Sequence, residues 1–428
     1  MAACILDIHS KDELKHLRGR LVGSKNIRRT RKSVESMWKE LGCYSRTAYR
    51  MSIASFHTLH SILQSDLCRE FKVGKRTRGG DPNGEITTKL RLSAAIRFFA
   101  GASIYDIMLT HGMGKQTVYN SVYGVVNAVN SCEELSFNAD GARFPSHAEQ
   151  AEIAAGFLAK SAAGFDKIVM ALDGMLVWTS QPSRADCEYL KMGERSFHCF
   201  RKDKFGMLLL AGCDHRAKFR WADVTHPGFT GDYLAWTTSD VGRELTEGGS
   251  KLVAPEHTIA GAVSDNAFCE NETMATPIPG RSVSLEEDAY NFYLSQIRIT
   301  IERAFGILVH RWGILRRPLS MSILKVPALV MCLLRLHNFC IDHDSRHTAG
   351  PDLRDEGAIV RAARRMKDKP CAVRLNSRGI PEDLAGSGHH FRDLPNSRRP
   401  SNQNDGMTPM RRMMKSVADQ RLMRPRIT

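Results

Sequence analysis

The sequence predicts an α/β protein, a mixed β-sheet flanked by helices and preceded by an all-α region. Three observations carry this reading. From about residue 166, β-like apolar runs at 167–172, 205–213, 218–224 and 258–264 alternate with helical stretches. Before residue 130 the apolar spacing is helical, apart from one Gly/Pro-rich break. Between 287 and 310, Leu294, Ile297, Ile301, Phe305 and Leu308 recur at three- and four-residue steps, the stripe of a long amphipathic helix packed on a core.

Composition narrows the function classes. A chain of 428 residues, 42% hydrophobic, is long enough for two or three domains with real cores. Its net charge of +15 calls for a polyanionic partner, and nucleic acid is the commonest. No run reaches the roughly 18 consecutive apolar residues of a membrane span, and the first residues lack the basic start and apolar core of a secretory signal. The eleven cysteines form no Cys-x-x-Cys pair, which argues against a zinc ribbon or a disulfide framework. Reduced thiols in the cytoplasm or nucleus are expected.

Residues 1–80 read as a basic arm and a helical region. Lys25, Arg28, Arg29, Arg31 and Lys32 fit a nuclear-import signal, a phosphate-contacting arm or a solvated helix face. Met37, Leu41, Met51, Phe56, Leu59 and Leu63 give 34–72 its helical pattern, and Gly79-Gly80-Asp81-Pro82-Asn83-Gly84 interrupts it.

Residues 81–135 read as three helices, at about 87–99, 103–109 and 115–130. A short helix, a glycine-containing turn at His111-Gly112-Met113-Gly114 and a longer helix make a helix-turn-helix pattern. Val118, Val122, Val125 and Val126 face a core, while Lys115, Gln116, Tyr119 and Asn120 stand where a recognition helix meets double-stranded DNA. Any three-helix bundle shares the pattern, and the basic charge favours DNA. Residues 136–165 are expected to be a linker. Residues 346–428, with eighteen Lys/Arg against nine Asp/Glu and few aromatics, are expected to be a largely disordered basic tail.

Within 166–345 the order is strand, two hairpin-like strands, helix (231–243), strand, long helix (287–310) and a last apolar helix (326–340), the order of a ribonuclease-H-like domain. In that layout the first and fourth strands are neighbours, so Asp173 and Asp265, each ending an apolar run, emerge together. Glu302, on the edge of the long helix's stripe, can join them. Grouped carboxylates need compensating positive charge, and Mg²⁺ or Mn²⁺ supplies it in sites that hydrolyse or transfer phosphodiesters. An i,i+4 ion pair with Arg298 is the alternative for Glu302. Asp232 is either a further ligand or an acid at a helix N-terminus. His198, Lys202, His310 and Arg311 read as surface or phosphate contacts. His337, Trp178 and Trp312 read as core.

Several blocks then resemble a family. They are Leu172-Asp173-Gly174, Phe197-His198, Pro227-Gly228-x-x-x-Asp232, Ser264-Asp265, Ile301-Glu302-Arg303-Ala304-Phe305-Gly306 with Arg311-Trp312, and Leu336-His337-Asn338-Phe339-Cys340. Over 167–340 the chain resembles the PIF/Harbinger transposases and their domesticated nuclease relatives. The resemblance implies a metal-dependent DNA endonuclease or transposase with Asp173, Asp265 and Glu302 as catalytic acids and Asp232 as a further motif acid. It also implies a nuclear location, a separate Myb-like DNA-binding partner protein and a homo-oligomer that holds two DNA ends. The chain departs from the family at Asn266-Ala267-Phe268 and at Gly231, and neither change removes a carboxylate. A domesticated DNA-binding protein that keeps the fold without cleaving is the alternative.

Overall fold

Serine and threonine caps set the helix starts in the N-terminal half. The computed structural model describes residues 31–71, 85–160, 163–247, 261–280, 284–343 and 409–420, with 422 and 424. Lys25, Arg28 and Arg29, residues 258–260 and most of 346–428 lie outside the described residues. The chain divides into two units, Met1–Ser131 and Cys132–Thr428.

In the first unit, helices α1 (Val34–Leu41), α3 (Ile53–Glu70), α4 (Thr88–Phe99) and α5 (Ile104–His111) are capped by Ser33, Ser52, Thr87 and Ser103. Each cap side chain accepts a backbone N–H three residues on, satisfying a donor the helix cannot. Between α1 and α3, the short α2 (Ser45–Tyr49) ends at Arg50 in the left-handed region, φ 62°. Gly112, at φ 60°, makes the turn between α5 and α6 (Lys115–Ser131). Helix α6 packs on α3, α4 and α5 through Val118, Val122, Val125 and Val126. The expected helix pattern is therefore present, in three pieces across 34–70. Trp38 stacks on Tyr49 at 4.2 Å between ring centroids. Tyr49 Oη, Ser93 Oγ and His111 Nε2 form a fully buried chain at 3.0 and 2.9 Å.

The second unit begins with a correction. The expected linker carries helix α7 (His147–Lys160), which buries Ile153, Ala154 and Phe157 at helical spacing. Then comes a six-stranded mixed sheet. Strand β1 (Met170–Trp178) pairs antiparallel with β3 (Lys204–Cys213) and parallel with β5 (Ala262–Val263), and β5 pairs in parallel with β6 (Met274–Ala275). The other side of β3 pairs antiparallel with β4 (Phe219–Pro227) and with the two-residue β2 (His198–Cys199). Both two-residue strands after residue 260 are set by pairing rather than length, and β6 had no sequence signal.

Between β1 and β2 lies α8 (Arg184–Leu190). The expected helix at 231–243 is two helices, α9 (Asp232–Thr238) and α10 (Asp240–Glu247). Ser239 separates them in extended conformation, and its hydroxyl accepts the Gly242 N–H at 3.0 Å. Ala235, Trp236, Val241 and Leu245 cover Met170, Leu172, Leu208, Leu210 and Trp221 in one cluster. Helix α11 (Leu285–Arg311) starts in a Ser284/Glu287 capping box and packs on β1 and β3, with all five residues of its expected stripe buried.

Helix α12 (Val326–His343) packs on β4. With its lead-in, Ile323–His343 is long and apolar enough by composition to cross a membrane, yet 67% of its most apolar window is buried against the protein, as in a core helix. The conspicuous Leu336-His337-Asn338 block is a stitch between α12 and β4. Asn338 accepts the Phe219 N–H at 2.8 Å and donates to its carbonyl at 2.7 Å, while His337 Nε2 meets the Ala217 carbonyl at 2.9 Å. Trp312 is fully buried as expected. Arg311, expected at the surface, is 4% exposed, and Trp178, expected in the core, is half-exposed beneath Lys204, whose ammonium lies 4.1 Å from its ring. The basic tail is also corrected at 409–419. Helix α13 (Pro409–Asp419) buries Met413 and Val417 against the second unit, packs on α11, and is held by Ser416 and Gln420 bonds to the Ala163 carbonyl.

Two stability predictions follow from these contacts. Asn338→Ala strands both polar groups of Phe219 in the core and should cost about 2–3 kcal/mol in urea unfolding, with Asn338→Asp, which keeps the acceptor, falling between. A variant as stable as wild type would contradict the stitch. Burial lowers the His111 pKa from 6.5 to about 4. Its contribution is thus full above pH 6.5 and is lost as pH falls toward 4, by roughly 3 kcal/mol in all. Hydrogen-exchange protection of α4–α6 should drop through that window, and the drop should vanish in His111→Gln.

Candidate active site

Asp173 is the fourth residue of β1 rather than its end. The apolar run ends at Leu172, but pairing with β3 runs on to Trp178, with Asp173 opposite Ala211. Side chains alternate across a strand. Leu172 joins the α9–α10 cluster, so Asp173 faces the other side, where α11 lies. The parallel register sets Met170 beside Ala262 and Ala171 beside Val263. Asp265 lies two residues beyond this pairing, near enough for its charge to raise the Asp173 carboxyl. A turn after β5 fixes Asp265, whose carboxylate accepts the Ala267 N–H at 2.8 Å.

Asp232 arrives from a third element, the first turn of α9. Its approach loop is held at Gly228, whose N–H donates to the Gly206 carbonyl at 2.9 Å, and at Phe229, whose N–H donates to the Ser196 carbonyl at 3.0 Å. A Cβ on Gly228 would lie 2.8 Å from the Gly206 oxygen, so only glycine lets the loop lie this close. A Cβ on Gly174 would collide with the Asp232 carboxylate. The glycines of Asp-Gly and Pro-Gly are therefore the clearances that bring Asp232 against β1.

The three aspartates repel one another. Burial pushes the Asp173 carboxyl up to about 6; its bond from the Gly174 N–H, at 2.8 Å, and the Arg298 guanidinium oppose this, and Asp265 and Asp232 add to it. Burial also raises Asp232, and Asp265 raises it further, while Arg201 and Lys202 lower it. Arg201 was not singled out in the sequence; its signal is the Arg201-Lys202 pair in the hairpin after Phe197-His198.

Glu302 is exposed and pairs with Arg298 at 3.2 Å, the i,i+4 alternative, and Arg298 in turn acts on Asp173. Among the described residues, no three His, Cys, Asp or Glu side chains stand close enough together to hold one ion. His198 is turned to Asp203 at 3.2 Å and wedged between Phe200 and Phe205. His310 is exposed and bonded to Arg316. In the first unit, Lys115, Gln116 and Asn120 are exposed and Tyr119 is half-buried. Gln116 donates to Asn120 at 2.8 Å, and the Lys115 ammonium lies 5.5 Å from the Tyr105 ring.

The burial of Asp173 beside like charges has a measurable cost. With the folded pKa raised from 3.8 to about 6, the Asp173 contribution is intact below pH 3.8 and is lost as pH rises through 6. Asp173→Asn should therefore stabilise the metal-free protein by about 2 kcal/mol at pH 7 and by almost nothing at pH 4. Equal melting shifts at both pH values would contradict this charge account.

Residues 172–338, about two-fifths of the chain, match the family model described as DDE superfamily endonuclease. The match opens one residue before Asp173, closes on Asn338 and contains all four acids. No curated protein and no solved structure matches the chain. Over that span the chain is similar to DDE superfamily endonucleases.

Proposed function

We propose that the protein is a Mg²⁺- or Mn²⁺-dependent DNA endonuclease or transposase of PIF/Harbinger type, acting in the nucleus. The observation that carries this reading is the nearness of Asp232 and Asp265 to Asp173, whose carboxyl their charges raise, within the span that matches the endonuclease model. Hard oxygen donors with uncompensated charge suit a hard divalent cation. Asp173, Asp232 and Asp265 would hold it, joined by Glu302 once released from Arg298. Cations bound there would supply an acidified water and stabilise the leaving oxygen of a phosphodiester. Arg201 and Lys202 attract the DNA phosphates and offset the acids until then.

The sheet order β4-β3-β1-β5-β6, with β3 antiparallel to both neighbours and β1, β5 and β6 parallel, supports a ribonuclease-H-like assignment. Helices α4–α6, with a left-handed Gly112 and an exposed α6 start, support a helix-turn-helix that reads double-stranded DNA through Lys115, Gln116, Tyr119 and Asn120. A Myb-like partner protein and a homo-oligomer holding two DNA ends belong to the same reading. A second reading, a DNA-binding protein that no longer cleaves, is favoured by the Arg298–Glu302 pair.

Plasmid or terminal-repeat DNA incubated with the protein and Mg²⁺ or Mn²⁺ separates the two. Cutting lost in Asp173→Ala, Asp232→Ala and Asp265→Ala, by a hundredfold or more, supports the enzyme. Cutting unaffected by these changes sinks the site assignment, and tight duplex binding without cutting under either metal establishes the second reading. Lys115→Ala should weaken duplex binding across sequences and flatten its salt dependence by about one unit, whereas Gln116→Ala should relax base preference.

A further inference from the structure

Beside the aspartates stands an aromatic pair that the fold does not use. The hairpin between β2 and β3 turns tightly at 199–203: the Lys202 N–H donates to the Cys199 carbonyl at 3.1 Å, and Asp203 adopts φ 49°. Its tip presents Phe200, 64% exposed, followed by exposed Arg201 and Lys202. Phe229, 65% exposed, sits in the loop three residues before Asp232 and meets Phe200 edge to face, with centroids 5.9 Å apart and planes at 84°. Both rings are held from behind, Phe200 by His198 at 4.9 Å and Phe229 through its N–H bond to Ser196. Two adjacent phenylalanines this exposed give up burial worth having. Here they flank the two cations that act on Asp232.

We propose that Phe200 and Phe229 form a stacking platform for one unpaired nucleobase of a DNA strand, with Arg201 and Lys202 holding its phosphates at the mouth of the aspartate site. Every base has a π-face, and a planar apolar ring flanked by cations matches a base on a charged backbone. The edge-to-face geometry leaves one ring free to stack while the other walls the base in. The DNA entering the site is then locally unpaired, and duplex must open there. This rests on the DNA-cutting reading above and specifies its substrate.

The test uses the full chain with EDTA, so that binding is read without cleavage. A single-stranded oligonucleotide carrying pyrrolocytosine reports stacking by fluorescence quenching. Phe200→Ala with Phe229→Ala should abolish the quenching and weaken single-strand affinity about tenfold or more. Tyrosine at both positions should retain quenching and affinity, and Tyr189→Ala, at a ring 75% exposed elsewhere, should leave them unchanged. Circular dichroism melts check that each variant folds. Unchanged quenching and affinity in the double alanine variant overturn the proposal, as does an equal loss on fully paired duplex of the same sequence. If wild type cuts nothing with Mg²⁺ or Mn²⁺ while ring-dependent quenching persists, the nuclease reading fails and the platform stands.

Discussion

Strand β1 is hydrogen-bonded on both edges, to β3 along Ala171–Trp178 and to β5 at Met170 and Ala171, and the candidate site depends on that double pairing. The β3 ladder keeps β1 extended through Asp173-Gly174, so that Asp173 is held mid-strand with no freedom to turn away. The β5 register then places Asp265. The same extended backbone at Gly174 offers the bare surface against which Asp232 rests.

Around that strand the molecule works against its own stability. Burial raises the proton affinity of Asp173 and Asp232, neighbouring carboxylates add to it, and Arg298, Arg201 and Lys202 offset part of this. Elsewhere the second unit compensates buried charge far more fully. Asp214, fully buried, accepts from the Arg216 and Lys218 backbone N–H groups and from the Arg220 guanidinium at 2.8–2.9 Å. The contrast separates a structural carboxylate from the candidate site. A buried acid kept for the fold has its donors in place, whereas Asp173 and Asp232 are left with raised carboxyls.

Much was legible in sequence for local reasons. The α11 stripe, the three helices of 88–131 and the runs that became β3 and β4 show through periodicity and capping, both of which act within a few residues. Two acids could be placed as neighbours because strand order fixes adjacency. Glu302 could not be settled, since its spacing from Arg298 permits both an ion pair and a ligand role, and the structure makes the pair. Arg311 and Trp178 exchanged their expected environments because burial at an element's end depends on what packs there. Helices α7 and α13 were missed in segments read by composition, where a few apolar residues suffice once a partner surface exists.

The sequence by itself determined the class of the fold, the helical and strand texture, the basic charge and the identity of the acids. Only the tertiary structure set Asp232 against Gly174 and paired Glu302 with Arg298. It also turned the Leu-His-Asn block into a stitch and set Phe200 against Phe229. The reason is range. Propensity and periodicity are written between residues a turn or a pleat apart, whereas these contacts join segments tens of residues apart, fixed by register, glycine clearance and the direction each element takes across the sheet.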